Sequence, residues 1–307
     1  MKKYLIPILL LLIPIVGYAR ERWLFLGDSI TQAGYYVDYV ETWMLLNEED
    51  APEIIDLGLS SETVSGLSEE NHPGHRPYVH NRLQSVLDRV KPDVVIACYG
   101  MNCGIYHPFS KERFTAYRKG IRKLVEDAQS IGAEVILITP PPYAGRVKPK
   151  APPAEGEPYG YRTPSPDYNE VLGRYAKWIL SLDGKHGIRA VTVRPGIERF
   201  MEACYPKEPV HPNEYGHLLM GEAFLQGIGK KTGSSLLESG DNDFAKNPQW
   251  TKLNQLVRKQ RETYDRALLN DIGHGNPGVA KRFDTPLEEA KELVKPINKS
   301  IAELVAE

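Results

Sequence analysis

The stretch Trp23-Leu24-Phe25-Leu26-Gly27-Asp28-Ser29-Ile30-Thr31 decides how the chain is read. Its opening residues form a short apolar run, which reads as a buried strand. Gly27 ends the run and permits a tight turn. Asp28 and Ser29 then stand at a strand-to-helix corner, with the Ser29 hydroxyl exposed and its amide near a helix N-terminus. That end of a helix favours negative charge. A serine nucleophile needs this environment, because its attack puts charge on a carbonyl oxygen. A simple Ser/Asp helix cap uses the same residues for local structure alone. The residues further along the chain separate the two readings.

Downstream of this corner, strand and helix patterns alternate. Tyr36 to Asn47 reads as a helix, Glu53 to Leu57 as a strand and Asn81 to Arg89 as a helix. Asp93 to Tyr99 is an almost unbroken apolar strand, as expected when both faces are covered. Ser110 to Ile131 has a helical apolar stripe (Phe114, Tyr117, Ile121, Leu124, Val125). Glu134 to Thr139 and Arg189 to Val193 read as strands. Asp167 to Leu182 and Glu214 to Lys230 read as helices, and Ile197 to Ala203 as a short one. This alternation predicts a parallel sheet with helices on both faces. In such sheets ligands bind beyond the carboxyl ends of the strands. Ser29, the loop from Gly58, Asn102 and the loop from Pro140 all follow strands, so they are expected on one edge.

Blocks of chemical interest follow in order: Gly27-Asp28-Ser29, Gly58-x-x-Ser61-x-Thr63, Gly100-x-Asn102 and Glu208-x-x-His211-Pro212. Together they resemble the SGNH hydrolases, also called GDSL esterases and lipases, over about residues 22 to 230. The resemblance implies a flavodoxin-like three-layer α/β/α sandwich with a central parallel sheet. It implies Ser29 as nucleophile, His211 as general base and Glu208 as the acid that holds the imidazole. It also implies an oxyanion hole from the amides of Ser29 and Ser61 and the side chain of Asn102. The chemistry fits these residue types. His211 takes the Ser29 proton and returns it to the leaving alcohol, and Glu208, three residues earlier, reaches the other ring nitrogen. This chain departs from the family pattern in Glu208 for aspartate, Ser61 for glycine and Cys103 for aspartate. Asp28, His75, Arg76 and Tyr143 are the candidate substrate contacts, with Arg146, Tyr159, Tyr161 and Arg162 of the Pro140 loop able to stack on or clamp a polar ligand.

The expected activity is hydrolysis of a carboxylic ester through an acyl-enzyme, with deacetylation of a carbohydrate as the substrate reading. The alternatives are a weak or inactive glycan-binding protein on the same scaffold, and a lipid or lysophospholipid esterase with a long apolar acyl channel. No cofactor is expected. His72, His75 and His80 lack acidic or Cys companions at metal-ligand spacing, so no metal site is expected either.

The 307 residues carry 38 Lys and Arg against 40 Asp and Glu, a formal charge of −2. That balance offers no basic surplus for nucleic acid. Lys2 and Lys3, the apolar run Leu5 to Val16 and the small residues Gly17-Tyr18-Ala19 read as a signal peptide over 1–19. A periplasmic or secreted protein, with no stable membrane insertion after cleavage, is therefore expected. Cys98 reads as a core residue, whereas Cys103 and Cys204 leave a disulfide open. The hydrolase domain is assigned to 20–232. Residues 233–307 read as a linker and a helical extension, with helices at Trp250 to Asn270 and Leu287 to Val305 around a Gly/Pro break. The extension shows no catalytic pattern, and the sequence does not set an oligomeric state.

Overall fold

The computed structural model describes residues 20–306, apart from the side chains at positions 244 and 245. The expected signal peptide, 1–19, lies outside the described residues. The chain begins with strand β1 (Arg22–Gly27), followed by helices α1 (Ser29–Ala33) and α2 (Tyr35–Asn47). Then come β2 (Glu53–Asp56), α3 (Leu83–Val90), β3 (Val94–Cys98), α4 (Lys111–Ser130), β4 (Glu134–Ile138), α5 (Tyr168–Leu180) and β5 (Ile188–Val191). Helices α6 (Arg194–Arg199), α7 (Met201–Cys204), α8 (Glu214–Gly227), α9 (Leu236–Ser239), α10 (Pro248–Ile272), α11 (Pro277–Arg282) and α12 (Leu287–Val305) complete it. The short helix expected over Ile197 to Ala203 is thus two helices, α6 and α7, which meet at Phe200.

The strands form one parallel sheet in the order β2-β1-β3-β4-β5. Strand order reverses between β1 and β3, and the crevice beyond their carboxyl ends is where such sheets bind ligands. Right-handed crossovers put α2 on one face and α3, α4 and α5 on the other. Helix α8 joins α2, and Phe224 packs edge-on against Trp23 and Phe25. Tyr117 of α4 stacks on Tyr175 of α5 at 4.3 Å between ring centres. Every residue of β3 is buried, which accounts for its unbroken apolar sequence. Gly27 and Gly58 are required by close approach. A Cβ on Gly27 would collide with the Thr31 side chain and the Cys98 carbonyl, and one on Gly58 with the backbone of Thr31 and Gln32.

The C-terminal helices are docked on the sheet domain. Helix α10 lies against α2 and β2, and α12 lies along α10. Arg261 and Arg266 of α10 are buried in ion pairs with Asp38 of α2 and Asp56 of β2, at 2.6 Å in each case. The segment read as a linker is also tied down: Leu236 is fully buried, and Arg199 donates to the carbonyls of Leu237 and Glu238. Among the described residues no helix is long and apolar enough to cross a membrane.

Candidate active site

Ser29 is the first residue of α1. Asp28 caps that helix, its carboxylate accepting the Ile30 amide at 3.0 Å. The Ser29 hydroxyl lies 2.9 Å from His211 Nε2, and His211 Nδ1 lies 2.8 Å from Glu208 Oε1. The Glu208 carboxylate also accepts the amides of Val210 and His211, at 2.9 and 2.5 Å. Burial by itself would raise this carboxyl. The hydrogen bond and charge of His211, with the two amides, outweigh it and hold Glu208 below the usual glutamate range. An ionised acceptor on Nδ1 leaves Nε2 as the basic nitrogen facing Ser29. The histidine segment is held at both ends. Ala144 donates its amide to Pro209, and Asn213 caps α8 while its own amide reaches the Cys204 carbonyl.

Asn102 follows β3. Tyr106 donates its hydroxyl to Asn102 Oδ1 at 3.0 Å, which fixes the amide's orientation, and Asn102 Nδ2 donates to the Glu62 carbonyl at 3.3 Å. Ser61 adopts φ 66°, the left-handed region in which glycine has no steric penalty. Its hydroxyl is within 3.2 Å of His72 Nε2, so the extra side chain is tied to a neighbour. Among the described residues, the amides of Ser29 and Ser61 donate to no protein acceptor. Glu62 is locked in turn by Arg82, whose Nε and Nη2 each reach it at 2.7 Å, and by the Tyr99 hydroxyl at 2.6 Å.

These groups share a cleft of about 780 Å³. Ser29, Ser61, Asn102, Glu208 and His211 line it, with His72, His75, Arg76, Lys150 and Tyr161 around them and Gly275-Asn276-Pro277 on the C-terminal side. The hydrogen-bonded run Ser29–His211–Glu208 is open to solvent, with the His211 side chain 51% exposed.

Of the substrate contacts expected from sequence, His75 lines this cleft, with its Nδ1 near the Arg76 carbonyl. Arg76 lines it too, but its guanidinium is committed. Two nitrogens bind the buried Glu69 carboxylate at 2.6 Å each, and Nη1 reaches the Ser61 carbonyl at 3.2 Å. Arg76 is therefore a brace for the Ser61 segment rather than a free ligand group. Asp28 is not a substrate contact. Its carboxyl is buried under α1 as the cap, and burial lifts it to about 6 against the pull of the Ile30 amide. Tyr143 does not face the cleft either. It is buried against Tyr106 and Tyr168 and lines a separate cavity with Arg146.

From the same loop, Tyr161 faces the cleft and packs on the His72 ring, with Arg162 bonded to its hydroxyl. Tyr159 packs on His107 instead. His80 sits away from the cleft, with its Nε2 at the Gly120 carbonyl. The three cysteines are free and buried, so Cys103 and Cys204 do not pair. Cys103 Sγ takes the Val64 amide at 3.4 Å, and burial pushes both thiols up to about 12. Sequence reasoning missed Tyr106, Lys150, Glu69, Gln32 and Asn276. Gln32 and Asn276 act through Ser60, 28 and 216 residues away, while Tyr106 and Glu69 act through Asn102 and Arg76, 4 and 7 residues away in irregular segments that carry no periodic pattern.

The GDSL-like Lipase/Acylhydrolase family model matches residues 25–219. An acetylxylan esterase of Geobacillus stearothermophilus is 25% identical over 236 residues, covering 68% of this chain and 94% of that protein. The crystal structure of an acetylxylan esterase from the same organism superposes with a TM-score of 0.51 at 22% identity, covering 69% of this chain and 95% of that one. A mutant described as an acetyl-xylooligosaccharide esterase superposes equally well, at TM-score 0.51 and 23% identity, with the same shares covered. The family match spans well over half the chain, from the strand before Ser29 to the helix after His211, and so the chain belongs to the GDSL-like lipase and acylhydrolase family and is a carboxylic ester hydrolase of that type.

Proposed function

We propose that this hydrolase is an exported serine esterase that removes acetyl groups from a carbohydrate through an acyl-enzyme on Ser29. The hydrogen-bonded run from Ser29 through His211 to Glu208, at 2.9 and 2.8 Å, carries the mechanistic part. His211 Nε2 takes the Ser29 proton as Oγ attacks the ester carbonyl. The oxyanion so formed receives the amides of Ser29 and Ser61 and the free N–H of Asn102. Removing one such donor typically costs about 10²–10³ in rate. Collapse expels the sugar hydroxyl, protonated by His211. A water activated by the same imidazole then releases acetate. Glu208 holds the ring and stabilises its protonated form.

The substrate part rests on the cleft lining and on the relatives. His75 and Lys150 offer polar contacts, and among the described residues no Leu, Ile, Phe or Met lines the cleft. A long acyl chain would meet Val210, Tyr106, Tyr161 and three prolines rather than an aliphatic channel. Acetylated xylo-oligosaccharides and aryl esters of increasing acyl length, assayed side by side, test the reading. Acetyl esters are expected to be turned over fastest, and Ser29→Ala to lower the rate by at least about 10³-fold. Preference for long acyl chains would contradict the carbohydrate assignment. Export rests on the sequence of residues 2–19 alone. N-terminal sequencing of protein from the periplasm or medium is expected to start at Arg20, and an intact Met1 on cytoplasmic protein would contradict it.

A further inference from the structure

We infer that Asn276, carried on the turn between α10 and α11, is a positioning residue that aims the Ser61 amide into the oxyanion hole. The inference rests on the esterase reading above. Asn276 Nδ2 donates to the Ser60 carbonyl at 2.9 Å. That carbonyl and the Ser61 N–H belong to the same peptide unit. The described chain has no cis peptide bonds, so the two dipoles point in opposite directions across a planar group. Pinning the carbonyl on the C-terminal side therefore fixes the direction of the N–H. A hydrogen bond accepted by a peptide oxygen also polarises the unit and strengthens its N–H as a donor. Ser60, Ser61, Asn276, Ser29 and Asn102 all border the same cleft.

The rest of the loop is held on its other sides. Ser60 N donates to Gln32 Oε1 at 2.5 Å, the Ser61 carbonyl accepts Arg76 Nη1, and the Ser61 hydroxyl meets His72. The Ser60 carbonyl is the point left to Asn276. The left-handed conformation of Ser61, at φ 66°, is uncommon for a residue with a side chain, so the loop needs such bracing. Asn276 is itself fixed. Its Oδ1 accepts the amides of Gly278 and Val279 at 3.2 Å each as the cap of α11, and its backbone N–H donates to His274 Nδ1. His274 Nε2 lies 2.7 Å from Asn270 Oδ1 on α10. A C-terminal segment with no catalytic motif thereby reaches the reacting atoms through one backbone unit.

The two roles of Asn276 can be separated. Asn276→Asp and Asn276→Ser keep an oxygen for the cap but lose the amide donor. With the parent turning over p-nitrophenyl acetate and Ser29→Ala inert, both variants are expected to lower kcat about tenfold or more, part of the effect of deleting a donor. KM and Tm are expected to stay near the parent's. The serine variant carries no charge, so it separates loss of the donor from repulsion by a new carboxylate. Retention of more than a fifth of the parent kcat by either variant would overturn the inference, as would a loss confined to KM or one that follows a fall in Tm. In those cases Asn276 is a cap only, and the esterase reading stands. An inert parent would instead remove the esterase reading, and this inference with it.

Discussion

Glu208 stands where the family pattern has aspartate, and its geometry explains how the longer side chain is accommodated. Three hydrogens, on His211 Nδ1 and on the amides of Val210 and His211, converge on its two oxygens. The extra methylene is taken up by a turn that wraps around the carboxylate. Glu208→Gln retains the shape but weakens the hold on the imidazole. It is expected to lower kcat by about 10²–10⁴-fold with little change in KM, as seen when the acid of a serine triad becomes its amide. Steady-state kinetics on an acetyl ester would check this. Ser61 makes the opposite case, because its proposed donor belongs to the backbone. Ser61→Gly leaves the N–H in place and relieves the left-handed strain. Its kcat is expected within a few-fold of the parent's, far from the roughly 10²–10³ of a lost donor. A collapse in kcat would assign the work to the hydroxyl and His72. At this scale, Ser29, Ser61 and Asn102 stand just past strands as the alternation implies and line one cleft with His211, whose block instead lies between α7 and α8. Asp28 and Tyr143 were misread because a short motif does not reveal whether a side chain faces the cleft or the core. For Asp28, the cap geometry decides it; for Tyr143, the packing against Tyr106 and Tyr168 does.

Among the elements, α10 does more than cover the sheet. Arg266 reaches the Asp56 carboxylate at 2.6 Å, the Gln32 carbonyl at 2.8 Å and the Gly58 carbonyl at 3.4 Å. Arg261 holds Asp38 and the Ala33 carbonyl. One helix thus ties the end of α1, which begins at Ser29, to the loop that carries Ser61. Breaking a buried pair leaves an uncompensated charge, so Arg266→Ala is expected to cost on the order of 3–5 kcal/mol. Denaturant unfolding would measure it, and a loss under 1 kcal/mol, roughly the worth of a surface pair, would contradict it. The helix itself was visible in the sequence from its period. Its partners were not, since an arginine on a helix gives no sign of which of two hundred earlier residues it will meet. The strands were readable to within a residue or two, most clearly β3, where burial on both faces leaves an unbroken apolar run. The junction between α6 and α7 was not, as nothing in the composition marks the break at Phe200.

Across the whole molecule, the cost of this clamp falls on Asp265. Among the described residues it joins no salt bridge, and it accepts the Asp56 amide at 2.8 Å beside the Asp56 carboxylate. Burial first, then the neighbouring Asp56 charge, push its carboxyl up to about 8. An unfolded aspartate titrates near ~3.9. The folded state therefore binds the extra proton, and this group's contribution is full below that value and is lost as pH rises toward 8. Asp265→Asn does not titrate. Its Tm is expected to gain on the parent's steadily from pH 5 to pH 8, and parallel Tm curves would contradict the assignment. The presence of helices beyond the sheet was readable from pattern alone, whereas their tie to it through a buried charge network was not. Covalent labelling reaches the centre of the matter most directly. The protein would be incubated with a fluorophosphonate ester, and the modified residue mapped by mass spectrometry alongside acetyl-ester turnover. A single adduct on Ser29, slowed in His211→Ala and matched by loss of turnover, is the expected result. An adduct elsewhere, or undiminished turnover by Ser29→Ala, would contradict it.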